Sequence, residues 1–125
     1  MTLSNWVNSI TLSDDGWTAL HLACKNNEMF LYLVNELNAN VQIRNKNGVS
    51  LMHKAAMDDN HYLITYLRDK HGFDITHTDS DGNTPLHFAC FNNSEYAAFW
   101  LIGFGAEINA QNKKKDTPMH MILKN

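Results

Sequence analysis

Nothing in this 125-residue sequence approaches the roughly 18 consecutive apolar residues that a membrane-spanning helix needs, so no span and no membrane partner is expected. The opening Met1-Thr2-Leu3-Ser4-Asn5-Trp6 has neither a basic stretch nor an apolar core behind it, and no secretory leader is expected there. Two cysteines are too few for a disulfide scaffold; Cys24 and Cys90 read as small buried hydrophobes of a reducing, cytoplasmic setting. A net charge of −3 lacks the basic excess that nucleic-acid binding demands. All six glycines fall at turns or helix ends, which leaves no glycine-rich phosphate loop. What remains is a chain 44% hydrophobic, ordinary for a folded protein and one domain's worth in length.

Its most informative stretch is Asp81-Gly82-Asn83-Thr84-Pro85-Leu86-His87-Phe88-Ala89-Cys90. Asp-Gly marks a turn in which Gly82 is free to take positive φ. Thr84 then suits an N-cap and Pro85 the first helical position, where its missing N–H costs nothing. Leu86, Ala89 and Cys90 form a small inward stripe at i, i+3 and i+4. His87, three residues after the cap, is placed to reach back to the Thr84 hydroxyl.

The same phrase recurs as Asp15-Gly16-Trp17-Thr18-Ala19-Leu20-His21, as Asn47-Gly48-Val49-Ser50-Leu51-Met52-His53, and as Asp116-Thr117-Pro118-Met119-His120. The capping hydroxyls of Thr18, Ser50, Thr84 and Thr117 lie 32, 34 and 33 residues apart, and each is followed three residues later by a histidine. A period near 33 residues headed by T-P-L-H-x-A resembles the ankyrin repeat, over roughly residues 14 to 124. The resemblance implies an all-α solenoid of stacked helix-turn-helix units joined by β-turn or hairpin fingers. Its units here are 14–45, 46–79, 80–112 and a partial 113–125, and 1–13 is an N-terminal cap or a degenerate repeat end. Trp6, Val7 and Ile10, at helical spacing, are the candidates for covering the first unit.

Within the units, the first helix of the first runs from about Ala19 to Lys25, and Asn26-Asn27 is expected to take the left-handed interhelical turn. Second-helix core candidates are Phe30, Leu31, Leu33 and Val34, then Leu63, Ile64, Tyr66 and Leu67, then Trp100 and Leu101. An extra residue near His71 is expected to lengthen the second helix of the second unit. The fourth unit stops inside or just after its first helix, and Met119, Met121, Ile122 and Leu123 are too apolar for a finished surface. This reads as a fragment of a longer chain or an assembly contact through an uncapped end.

His21-Leu22-Ala23-Cys24 and His87-Phe88-Ala89-Cys90 both spell H-x-x-C, yet Ala56 holds the cysteine's place in the second unit, and structural zinc wants four converging ligands. With a whole repeat between them, about 10 Å in families of this kind, Cys24 and Cys90 sit too far apart for a disulfide, which needs less than about 7 Å. Asp58-Asp59 and Asp79/Asp81 read as turn carboxylates; His61, His71 and His77 read as scattered surface histidines. No catalytic residue, cofactor or metal is expected.

The resemblance implies binding of another protein or peptide through a concave face of finger tips and first helices. Carried over position by position, it points to Trp17, Leu22, Lys25, Lys46, Asn47, Val49, Met57, Asp58, Asn83, Phe88, Phe91, Lys113 and Lys114, with Lys54 and Met121 also on exposed first-helix positions. Apolar side chains such as Trp17, Leu22, Val49, Met57, Phe88 and Phe91 at nominally exposed positions favour an interaction patch over a merely solvated face. The triple lysine 113–115 reads first as a solvated turn tip, ahead of an acidic-partner contact. The alternative is a regulatory or substrate-recruiting part of a larger enzyme, or a structural component of a cytoskeletal assembly. The third unit is loosely similar to the ankyrin arrays of zinc-finger palmitoyltransferases, whose Asp-His-His-Cys tetrapeptide this sequence lacks.

Overall fold

The computed structural model describes residues 7–8 and 11–125. Trp6 and Ile10, two candidates for the N-terminal cap, lie outside the described residues; Val7 is buried in the core, and the Asn8 side chain accepts a hydrogen bond from the Asn40 N–H at 2.7 Å. The helices are α1 (Ala19–Leu22), which tightens into a single 3-10 turn (Ala23–Lys25), α2 (Asn27–Asn35), α3 (Leu51–Met57), α4 (His61–His71), α5 (Pro85–Phe91), α6 (Glu95–Gly103) and α7 (Pro118–Lys124). Helices α1, α3, α5 and α7 stack in order, each the first of its unit, and α2, α4 and α6 are the second helices packed behind them. Among the described residues the only extended pairing is two isolated antiparallel bridges, Thr11 with Thr18 and Arg44 with Ser50. The fold is therefore the all-α solenoid that the repeat implies.

Helices of four to eleven residues are below the length at which a helix is stable alone, so caps and stacking must hold them. Thr18, Ser50, Thr84 and Thr117 each begin a first helix with a capping box, the hydroxyl accepting from the N–H of the histidine three residues on. Second helices start on Asn26 and Asn60, whose side chains accept from Met29 N and Leu63 N. Leu20, Leu51, Met52, Leu63, Ile64, Leu67, Leu86 and Leu101 fill the layer between the two rows of helices.

The fingers repeat as faithfully as the helices. Asn45 Oδ1 accepts from the N–H groups of Asn47 and Val49; Asp79 Oδ1 does so from Asp81 and Asn83, and Asn112 Oδ1 from Lys114 and Asp116. Consecutive fingers are joined by Lys46 N to Asp15 O, Ser80 N to Asn47 O and Lys113 N to Asp81 O, all at 2.9 Å. The closeness of these rungs requires glycine. A Cβ on Gly48, at φ +77°, would sit 3.0 Å from the Ser80 backbone nitrogen. The fourth finger departs from this: Lys115, at φ +66°, stands where the others carry Gly16, Gly48 and Gly82. Lys115→Gly is expected to raise stability by about 0.5–1 kcal/mol, read as a higher midpoint of urea unfolding, because it removes left-handed strain from a side-chain-bearing residue.

Four expectations need correction. Asn26 is extended (φ −136°, ψ 102°) and caps α2 directly; the left-handed turn belongs to Asp59 and Asn93 in the next two units. Asn26 follows Thr18 by eight residues, whereas Asn60 follows Ser50 by ten, and this shorter turn makes the first repeat the short one. Trp100 is 38% exposed and stacks on His61 (5.7 Å, 7°) rather than filling the core. Cys90 is half-buried, unlike Cys24, because it borders an open groove of about 200 Å³ shared with Ala98 of α6 and Ile122 of α7. Lys54, expected on an exposed position, is buried. Near His71 the extra residue is visible: α4 has eleven residues where α2 and α6 have nine.

Candidate protein-binding face

The repeat sets three columns of side chains along the finger-and-first-helix face. Trp17, Val49, Asn83 and Asp116 precede the capping hydroxyls; Leu22, Lys54, Phe88 and Met121 follow the histidines; Lys25, Met57, Phe91 and Lys124 come one helical turn later, on the same side. What holds the columns in register is the histidine between them. In the second unit His53 Nδ1 lies 3.2 Å from the Ser50 N–H and 2.9 Å from its hydroxyl, while Nε2 lies 2.9 Å from the carbonyl oxygen of Asn83 in the next finger. A carbonyl only accepts, so Nε2 carries the proton and Nδ1 is the acceptor. His21 does the same between Thr18 and Val49 O (3.0 Å), and His87 between Thr84 and Asp116 O (2.8 Å). His120 closes the Thr117 hydroxyl at 2.8 Å. Each of these three inter-finger bonds fixes one unit's tip to the next.

In the second unit the device is extended. His77 Nε2 lies 2.6 Å from the Ser50 hydroxyl. That hydroxyl donates to His53 Nδ1, so the His77 Nε2–H donates to the hydroxyl, giving a chain His77 → Ser50 → His53 → Asn83 O. His77 is thus part of the frame and not the free surface histidine expected. Burial, with Arg44 nearby, lowers the pKa of His77; burial, with Lys54 nearby, lowers that of His21.

The proposed contact residues separate into three groups. Leu22 (49% exposed), Lys25, Lys46, Asn47, Phe91 (39% exposed), Lys113 and Lys114 lie open on the face. Trp17, Met57, Asn83 and Phe88 are half-buried. Trp17 sets its ring edge-on to His21 (5.1 Å, 81°) beneath Lys54 Nζ (5.8 Å), and Phe88 packs edge-on against His53 (5.2 Å, 72°). Both therefore serve the frame with one side and the face with the other. Val49 and Asp58 are not available. Val49 is 4% exposed, its N–H held by Asn45 and its carbonyl by His21. Asp58 is ion-paired with Lys54 at 2.5 Å, with side chains 6% and 7% exposed. The seven open residues all occupy finger tips or first-helix positions.

Sequence reasoning missed a second exposed row, on the opposite helices. Tyr32 of α2, Tyr62 of α4, and Tyr96, Phe99 and Ile102 of α6 are all exposed. The signal was present: Tyr62 and Tyr96 occupy the same position, 34 residues apart, where a helix exposed to water would carry a polar residue.

Among the described residues, no group of three or more His, Cys, Asp and Glu is placed to hold a metal ion, and no helix is long and apolar enough to cross a membrane. Burial raises the pKa of both thiols, away from nucleophilic use, and Cys24 Sγ donates to the Leu20 carbonyl at 3.6 Å.

Comparison with known proteins follows the same periodicity. A family model described as an ankyrin repeat matches residues 15–46, and one described as ankyrin repeats in many copies matches residues 52–102. The chain is 28% identical over 114 residues to a subunit of target of rapamycin complex 2 from Saccharomyces cerevisiae, covering 89% of this chain and 27% of that protein. It is 36% identical over 75 residues to protein phosphatase 1 regulatory subunit 27 of Mus musculus, covering 60% and 48%. It is 30% identical over 106 residues to an inhibitor of apoptosis of Monkeypox virus, covering 82% and 24%. The chain thus spans less than half the length of each of these relatives.

Proposed function

Since the chain belongs to the ankyrin repeat family, we propose that it is a non-catalytic module that holds another protein against the concave face of its finger tips and first helices. The observation that carries this reading is the aromatic pair Phe88 and Phe91. They stand on consecutive turns of α5 and line an apolar cavity of about 190 Å³ that opens on that face. Phe91 is exposed there and Phe88 lines the same cavity beside its contact with His53, and desolvated aromatics are where binding energy concentrates. The relatives are named as a complex subunit, a phosphatase regulatory subunit and an apoptosis inhibitor, which suits one binding architecture with unrelated partners. Two unpaired thiols, Cys24 buried and Cys90 half-buried, suit a reducing, cytoplasmic setting. A scaffold role would add a second contact, for which Met119 and Leu123 of α7 offer exposed apolar surface.

The test is capture of a partner by the full chain against its Phe91→Ala and Trp17→Ala/Phe91→Ala variants. Each truncation is expected to weaken binding by about 2 kcal/mol, roughly thirtyfold. Trp17 also touches the frame, so thermal unfolding of the double variant must accompany the affinity. Unchanged capture by folded Phe91→Ala would end the proposal.

A further inference from the structure

The apolar cavity beside Phe91 continues into a polar one. The first, about 190 Å³, is lined by Asn83, His87, Phe88, Phe91 and Met121. The second, about 310 Å³, shares Asn83, Phe91 and Met121 and adds Asp81, Asn112, Lys113, Lys114, Asp116 and Lys124. Lys124 is committed to Asp116 (2.6 Å), which leaves the exposed Lys113, Lys114 and Asp81 as the charges at the mouth, positive on balance.

The charge of the whole chain is arranged around this place. Residues 1–112 hold twelve acidic and six basic side chains, whereas the last thirteen residues hold one acid and four lysines. In a chain of net charge −3 the densest run of positive charge is therefore Lys113–Lys115, at the tip that borders the aromatic cleft. The strained Lys115 belongs to it as well, a lysine held at φ +66° where the other fingers use glycine. Strain of this kind persists where something other than folding requires the residue.

We infer that the cleft between the third and fourth units takes an acidic peptide segment of a partner protein, seating one bulky apolar side chain on Phe88, Phe91 and Met121 with flanking carboxylates on Lys113 and Lys114. The apolar part is smaller than the roughly 300 Å³ at which small-molecule sites begin, and suits one side chain instead. Met121 supplies an adaptable wall. The lysines of the fourth finger attract such a segment, so association slows as salt is added. This inference rests on the reading of the concave face as a protein-binding face and adds the chemistry of what it binds.

The experiment is selection from a randomised peptide library on the full chain, followed by fluorescence anisotropy with the selected peptides at low and high salt. The selected peptides are expected to carry Asp or Glu around a single Phe, Leu or Met. Binding is expected to weaken about tenfold or more for Lys113→Glu/Lys114→Glu, and comparably for Phe91→Ala. The two lysines are exposed, so the charge-reversed variant keeps the fold, and circular dichroism checks it. Neutral or basic peptides that bind and are weakened by Phe91→Ala would overturn the acidic partner while upholding the concave face. Peptides of any charge that ignore Phe91→Ala and Trp17→Ala would overturn both. An empty selection, or acidic peptides indifferent to charge reversal, overturns the inference.

Discussion

Asp58→Ala is expected to cost about 3–5 kcal/mol of folding stability, measured as the fall in the urea midpoint at constant slope. The reason is the partner it abandons. Lys54 Nζ lies 2.5 Å from Asp58 Oδ2 one turn along α3, and both side chains are more than nine-tenths buried. Removing the carboxylate leaves an ammonium in the stack with only the face of the Trp17 ring, 5.8 Å away, to offset its lost hydration. A lysine so placed has poor alternatives, since the neighbouring His21 and Cys24 offer it no negative charge. For a domain whose total stability is about 5–15 kcal/mol, this single change takes a large share. The double variant Lys54→Met/Asp58→Leu is expected to recover most of the loss, because an apolar pair of similar volume incurs no desolvation. By contrast the pair Lys124–Asp116 lies at 2.6 Å with its lysine half exposed, and water screens it, so Asp116→Ala is expected to cost far less through that contact. A loss below about 1 kcal/mol for Asp58→Ala would mean that water reaches Lys54 and that the buried pair is misread.

That pair also marks the boundary of what the sequence can tell. The hydroxyl–proline–histidine helix start was legible because every partner in it lies within three residues, and local geometry depends only on local spacing. The finger turns were legible for the same reason. The other half of each histidine's role was not: His21, His53 and His87 give their Nε2 protons to carbonyls 28, 30 and 29 residues away, and a carbonyl carries no sequence signature. Lys54 was read as exposed because its column also holds Leu22 and Phe88. Recognising its burial needed Asp58 at i+4 and the knowledge that Trp17 of the previous unit lies over it. Val49 failed similarly, its position in the column before the hydroxyl being half-buried in the other units, as Trp17, Asn83 and Asp116, and closed in the second. Trp100 is expected inward as a large apolar side chain, yet an aromatic at a helix surface can cover itself by stacking, as it does on His61. The face itself was legible as a register; which of its members are free was decided by contacts between units.

The largest effect of pH is expected at His53. Its ring is fully buried and its two nitrogens already have opposite duties, Nδ1 accepting from the Ser50 N–H and hydroxyl and Nε2 donating to Asn83 O. A second proton on Nδ1 would face two donors. The groups around it make matters worse for a cation: burial is the main cause, and His77 (rings 4.9 Å apart) and Arg44 add repulsion, so its pKa falls from 6.5 to about 3. In the unfolded chain the same imidazole titrates near 6.5. Between those values the unfolded state binds a proton that the folded state refuses, so stability is whole above about pH 6.5 and declines as the pH falls towards 3. By pH 5 this one residue should have removed about 2 kcal/mol relative to pH 7. His21, lowered in the same direction, adds to the decline. The test compares the wild type with His53→Gln. At pH 7 the variant is expected to be less stable by about 2–3 kcal/mol, since it loses the Nδ1 lock and leaves a buried N–H unpartnered. The gap should then narrow by about 2 kcal/mol at pH 5, because glutamine does not titrate. A gap that stays constant from pH 7 to pH 5 would mean that His53 takes up its proton in the folded chain as readily as outside it, and the hydrogen-bonded chain from His77 to Asn83 could not exist as described.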